Sequence, residues 1–290
     1  MKFILSILRL CSFLPLGVLY VLSDTIYLLN YHVIGYRKKV VRNNIANSFP
    51  DKTKSEITKI EKDFFKNFCD YLVETAKGIT ISENELKVRV QHINQDLFHE
   101  AKRKNQNIIF LAGHVFNWEW LTALATILPQ EKSFPVYRKI SNPGWNEQII
   151  EIRNRFKNES IEAGDVVKHI LRNPSDGNSA YMFVADQSPH SAQVDVGLRF
   201  LSQETPVFIG YDKLATRLNL CFIYCEMKKV KRGFYQINYH QITPDNEKFQ
   251  EFEVVRKFHT MLERTIMKDP GNYLWSHRRW KYNDLIKRRI

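Results

Sequence analysis

Ile108-Ile109-Phe110-Leu111-Ala112-Gly113-His114-Val115-Phe116-Asn117-Trp118-Glu119-Trp120 is the stretch on which the fold turns. Asn107 to Ala112 reads as a short buried strand ending at a glycine, because Ile108 to Ala112 is continuously apolar. His114 follows Gly113, and Trp118 to Leu128 then reads as an apolar helix closed by Pro129. Ligand sites in open α/β sheets gather at such strand ends, so His114 is the first candidate for chemistry.

Further out, strands and helices alternate. Upstream, Ile45, Phe49, Ile57, Ile60, Phe64, Phe65, Phe68, Leu72 and Val73 recur at three- and four-residue steps over residues 40 to 80, with Pro50 and Asp51 separating two helices. Val88 to Ile93 suggests a strand and Asp96 to Lys104 a helix. Downstream, strands are expected at Phe134 to Tyr137, Ser160 to Ile161, Tyr181 to Ala185, Leu220 to Met227 and Phe234 to Ile242. Helices are expected at Trp145 to Phe156, Asp165 to Leu171, Val207 to Leu218 and Phe249 to Met267, the last of which ends the helical content before a final Tyr273 to Trp275 segment. This order predicts an α/β fold, a single domain with a largely parallel central sheet flanked by helices. A chain of 290 residues suits one such core.

The amino terminus is different. From Phe3 to Leu29 polar residues are sparse, and Leu10 to Leu22 is the cleanest apolar stretch. That is short against the roughly 20 residues of a bilayer span, so the segment either crosses with help from snorkelling or tilt, or lies in the interface. We therefore expect an N-terminal membrane helix over residues 1–30 and a catalytic domain over 31–290. No small-residue cleavage site follows the run, which disfavours a signal peptide. The cluster Arg37, Lys38, Lys39 and Arg42 just beyond it predicts, by the positive-inside rule, that the bulk of the chain lies on the cytoplasmic face of the membrane.

There are 43 Lys plus Arg against 31 Asp plus Glu, a balance suited to an anionic membrane surface or another polyanion. No nucleic-acid motif accompanies it, so no nucleic-acid partner is expected. Cys11, Cys69, Cys221 and Cys225 have neither disulfide-framework nor zinc-ribbon spacing and read as buried thiols in a reducing compartment. The other histidines lack ligand spacing, and neither metal nor cofactor is expected.

His114 and Glu119 are five residues apart. In a continuous helix they would point about 140° away from each other. They meet only if His114 lies in the turn before the helix and Glu119 projects from its first turn, with Asn117 a candidate cap. A carboxylate so placed would fix the imidazole tautomer and stabilise the imidazolium. On spacing alone, a strand-end histidine and a solvated glutamate is the commoner arrangement.

Gly-His-x-x-x-x-Glu after a strand resembles the H-x4-D/E signature of glycerolipid-type acyltransferases. The chain most resembles the late lauroyl and myristoyl acyltransferases of lipid A biosynthesis. The resemblance rests on the ordered set of amino-terminal anchor, His114 with Glu119, Tyr137-Arg138 followed by Asn142, Arg153 and Arg155, Ala185-Asp186-Gln187, and Asn272-Tyr273-Leu274-Trp275-Ser276-His277-Arg278-Arg279-Trp280-Lys281. It implies transfer of a fatty acyl group from acyl carrier protein to a hydroxyl of a lipid A precursor, with His114 as general base oriented by Glu119. It further implies Arg138 and Arg155 as phosphate or oxyanion binders, and Asp186 and Gln187 as residues that shape the acyl site or orient arginines. Glu204, Thr205 and Pro206 fall where the family has Gly-rich chemistry, which this chain lacks. Trp280 replaces a smaller aromatic, and His277, Arg278 and Arg279 read as structural or membrane-surface residues.

Three other readings stay open. The runner-up is a related membrane acyltransferase with another acceptor, such as an aminolipid, a glycolipid or a pigment. A hydrolase would use the same dyad on water, although G-x-S-x-G and H-E-x-x-H are both missing. A non-catalytic membrane-surface protein would need no dyad at all.

Overall fold

The computed structural model describes residues 2–173 and 175–290; Met1, the first residue of the expected anchor, lies outside them. The chain begins with helices α1 (Lys2–Ser12), α2 (Leu16–Leu29), α3 (Lys38–Ser48), α4 (Lys54–Lys77) and α5 (Glu83–Arg89). Then follow β1 (Val90–Ile93), α6 (Asp96–Arg103), β2 (Asn107–Ala112), a 3₁₀ helix (Trp118–Thr126), β3 (Lys132–Tyr137), α7 (Pro143–Arg153), β4 (Ile161–Glu162), α8 (Val166–Arg172) and β5 (Ser179–Val184). The last part holds β6 (Val196–Phe200), β7 (Gln203–Pro206), α9 (Asp212–Ala215), β8 (Leu220–Lys231), β9 (Phe234–Ile242), α10 (Glu253–Lys268) and β10 (Arg288–Arg289).

Seven strands form one sheet in the order β1-β9-β8-β2-β5-β3-β4, parallel throughout except for the β8–β9 hairpin. Every residue of β2 is buried, as its unbroken apolar run requires of a central parallel strand. The chain leaves β2 towards β3 and leaves β5 in the opposite sense, back across β2 to β8. With right-handed crossovers these connections lie on opposite faces, which opens a crevice at the carboxyl ends of β2 and β5. The architecture is the expected single α/β domain with a mostly parallel sheet.

The amino terminus departs from the expectation of one membrane helix. Among the described residues no helix is long and apolar enough to cross a membrane. Pro15, which lacks an amide proton, stands at the N-cap of α2 and divides the apolar run into two helices. Lys77 on α4 donates to the carbonyls of Ser12 and Leu14 at the break. Leu16, Leu19 and Ser23 turn inward, and Ser23 donates to Asp70 of α4 at 2.7 Å. Arg232, in the β8–β9 turn, bridges Asp24 and Asp70. The opposite face stays bare: Leu10, Phe13 and Val21 are about two-thirds exposed, and Val33 and Ile34 more so.

Two elements near the site also differ. The apolar segment after Asn117 is 3₁₀ rather than α-helical, and of the expected helix Val207 to Leu218 only α9 forms. Ahead of it lies an unexpected small sheet in the order β10-β6-β7. Its β6–β7 hairpin turns at Leu201 and Ser202, both with positive φ (51° and 61°). Such a two-residue turn ordinarily takes Asn-Gly; here the Leu201 amide is held by Glu263 on α10 at 3.0 Å.

Candidate active site

His114 leaves the end of β2 through Gly113, against which Leu262 of α10 packs so closely that a Cβ would collide with it. Two residues on, Phe116 adopts φ 53°, a left-handed conformation that costs a non-glycine residue about 1–2 kcal/mol. It is held there by burial and by the carbonyl of Asn272, which accepts from the Phe116 amide at 2.9 Å. The Leu274 amide donates to the His114 carbonyl at 3.1 Å. The carboxy-terminal segment thus fixes the loop that carries the histidine.

The carboxylate on His114 is Asp186. Parallel pairing of β2 with β5 sets Ala112 beside Val184, so the residues just beyond each strand emerge side by side. Asp186 Oδ1 lies 2.6 Å from His114 Nδ1 and also accepts from the His114 backbone amide at 3.0 Å. On the other edge of the ring, Gln187 Nε2 lies 3.0 Å from His114 Nε2. Burial opposes the charge on Asp186, but His114 and then Arg279 overcome it and hold the carboxyl down at about 2. An ionised Asp186 assigns the ring proton to Nδ1 and leaves the Nε2 lone pair free to accept.

Glu119 is not hydrogen-bonded to His114. It is buried at the start of the 3₁₀ helix, where Arg153 of α7 grips it through two bonds of 2.8 and 2.7 Å. Trp118 links the two groups indirectly: its ring meets the imidazole edge-on with centroids 4.7 Å apart, and its Nε1–H donates to Glu119 at 3.0 Å. Burial would raise the Glu119 carboxyl, yet Arg153, with a smaller contribution from His114, brings it below the ordinary value. Asn117 makes no side-chain cap; it donates to the buried Glu74 of α4 at 3.0 Å. The helix start is therefore set by Glu74 and Arg153, not by capping.

A cleft of about 230 Å³ opens on this group. His114, Gln187, Arg138 and Arg153 supply its polar part, and Ile149, Ile150, Phe183 and Phe208 are among its apolar walls. Arg138 is exposed at the mouth and donates to the Ser188 carbonyl at 3.3 Å. Arg155 lies elsewhere: its guanidinium donates to the carbonyls of Gly78 and Ile81, where it caps the end of α4. Of the Arg-x-Arg pair it is Arg153 that faces the cleft, a residue passed over as a binder because spacing alone does not say which face of α7 is turned inward. The contact of Thr205 is likewise structural, since it accepts from Trp280 Nε1 at 2.7 Å.

The arrangement is a base whose Nε2 lone pair, met by the Gln187 amide, lies at the neck of a partly apolar cleft flanked by two guanidinium groups. It holds the parts needed to move a proton from a hydroxyl and to meet negative charge on a carbonyl oxygen. No curated protein matches the chain in sequence. The family model described as bacterial lipid A biosynthesis acyltransferase matches residues 2–282, nearly the whole chain, and the protein belongs to that family.

Proposed function

We propose that this acyltransferase moves a fatty acyl group from the thioester of acyl carrier protein to the hydroxyl of a 3-hydroxyacyl chain on a lipid A precursor, with His114 as general base. The observation that carries the reading is the His114 ring itself, tied at Nδ1 to Asp186 at 2.6 Å while it lines the cleft. The acceptor hydroxyl replaces the Gln187 amide as the partner of Nε2. Its proton passes to Nε2 as the oxygen attacks the thioester carbonyl. Asp186 stabilises the imidazolium so formed. Arg153 and Arg138 meet the negative charge on the carbonyl oxygen or on a substrate phosphate. The carbon–sulfur bond then breaks, and His114 returns the proton to the departing thiolate, which leaves an ester and a free thiol. Glu119 acts through Arg153, holding its guanidinium at the cleft.

The enzyme would work at the cytoplasmic face of the inner membrane. Leu10, Phe13, Val21, Val33 and Ile34 form an exposed apolar margin beside Lys38 and Lys39, a composition suited to lying in the interface of an anionic bilayer. The test supplies lauroyl-loaded acyl carrier protein with and without the lipid A precursor. We expect ester formation only with the acceptor, a loss of about 10³-fold or more in H114A, and unchanged vesicle binding by that variant. Free fatty acid released equally with and without acceptor contradicts transfer. An unchanged lipid A acylation pattern in cells lacking the protein points to another lipid acceptor.

A further inference from the structure

Arg279 belongs to the carboxy-terminal segment that closes over the two strand ends, yet it does not face solvent or membrane. It is 1% exposed and among the largest fully buried side chains. Its Nη1 donates to the Pro206 carbonyl at 2.6 Å, while Nε and Nη2 have no hydrogen-bond partner among the described residues. No carboxylate lies within ion-pairing distance of it among those residues. A buried cation in that state costs several kcal/mol, and an apolar side chain would fill the volume more cheaply. Burial disfavours the charge on Arg279; Tyr273, whose phenol interacts with both Arg279 and Asp186, opposes this first, and Asp186 next. Arg279 is in turn the second charge, after His114, that favours ionised Asp186.

The same segment touches the dyad directly. Leu274 donates to the His114 carbonyl, and the Ser188 amide donates to His277 Nε2 at 3.4 Å, two residues beyond Asp186. The other titratable groups around the carboxylate carry no charge near neutrality. Burial raises the phenols of Tyr211, Tyr224 and Tyr273 and lowers the imidazoles of His259 and His277 to about 4. After His114, Arg279 is the charged side chain that acts on Asp186 among the described residues.

We propose that Arg279 is a positioning residue for acyl transfer: its buried, permanent positive charge holds the Asp186 carboxylate as the partner of His114 while the proton comes and goes. This rests on the reading of His114 as the base. A buried carboxylate with neutral neighbours and no cation behind it takes a proton more readily, and a protonated Asp186 no longer holds the ring as a pure acceptor. Arg279 opposes that step from behind, without touching substrate.

The test is the pH profile of transfer from lauroyl-loaded acyl carrier protein to a lipid A precursor by the full chain, for wild type, R279Q, R279K and H114A. Without the charge the dyad protonates more readily. The acid limb of R279Q is therefore expected to move to higher pH by about one unit, with turnover near pH 7 down about 10-fold or more. R279K, which keeps the charge, is expected to retain the wild-type limb. A folded R279Q whose limb coincides with that of wild type, whatever its rate, overturns the proposal. Should R279Q not fold, carboxyl ¹³C NMR of H114A, which removes the larger His114 contribution and leaves Arg279, decides: Asp186 ionised throughout pH 5 to 7 upholds the proposal, and titration within that range, as burial alone would give, overturns it. H114A as active as wild type sinks the general-base reading instead, so the two failures are distinguishable.

Discussion

Asp186 and Glu119 are two buried carboxylates on neighbouring segments of one site, both held below the ordinary carboxyl range, and they serve different ends. Asp186, just past β5, is bound to an imidazole, a group whose proton comes and goes near neutral pH. Glu119, in the first turn of the 3₁₀ helix, is bound to a guanidinium, which does not release its proton in proteins. The first pair has the chemistry to take part in proton transfer, whereas the second is a fixed electrostatic prop. The partner, more than the depth of burial, decides what a buried carboxylate does.

The sharpest way to break this comparison is to neutralise each carboxylate with little change of shape. D186N removes the acceptor that fixes the His114 tautomer, and turnover is expected to fall about 10³-fold with the acceptor KM little altered. E119Q loosens Arg153 without touching the ring. Its expected loss is about 10- to 100-fold, shared between turnover and KM, and steady-state kinetics of the two variants measures both. If E119Q is the more damaged in turnover, the roles assigned here are reversed.

A smaller effect sharpens the contrast further by asking what a buried titratable group does with no charged partner. His259 on α10 donates from Nδ1 to the Val255 carbonyl at 2.9 Å, and its Nε2 has no partner among the described residues. Burial lowers it from 6.5 to about 4. Between those values the unfolded chain binds more protons than the folded one, so stability is lost as pH falls below about 6.5 and the loss is complete near 4. The loss at this residue approaches about 3 kcal/mol. Denaturant unfolding of H259F across that range is expected to show a flatter dependence than wild type; parallel curves would mean that His259 titrates normally in the fold.

Where the sequence was legible, the signal was local. The apolar run Asn107–Ala112 and the glycine after it announced a central strand ending at His114, and β9 likewise follows from its own residues. The β6–β7 hairpin was hidden because Leu201 and Ser202 occupy a turn whose usual residues are absent. The apolar run at the amino terminus was read as one helix although Pro15 divides it, and the inward turn of Ser23 depends on Asp70, 47 residues away. The site was legible in its members but not in its pairing. His114 and Asp186 are 72 residues apart and meet only through the register of two parallel strands. Five-residue spacing suggested Glu119 as the partner, but Arg153, 34 residues away, claims it.

Which carboxylate orients the histidine is read directly by ¹⁵N NMR of histidine-labelled protein near pH 8. The prediction is that His114 carries its proton on Nδ1 with Nε2 bare, in wild type and in E119Q alike, and that D186N loses this preference. A His114 tautomer that survives D186N but changes in E119Q would contradict it.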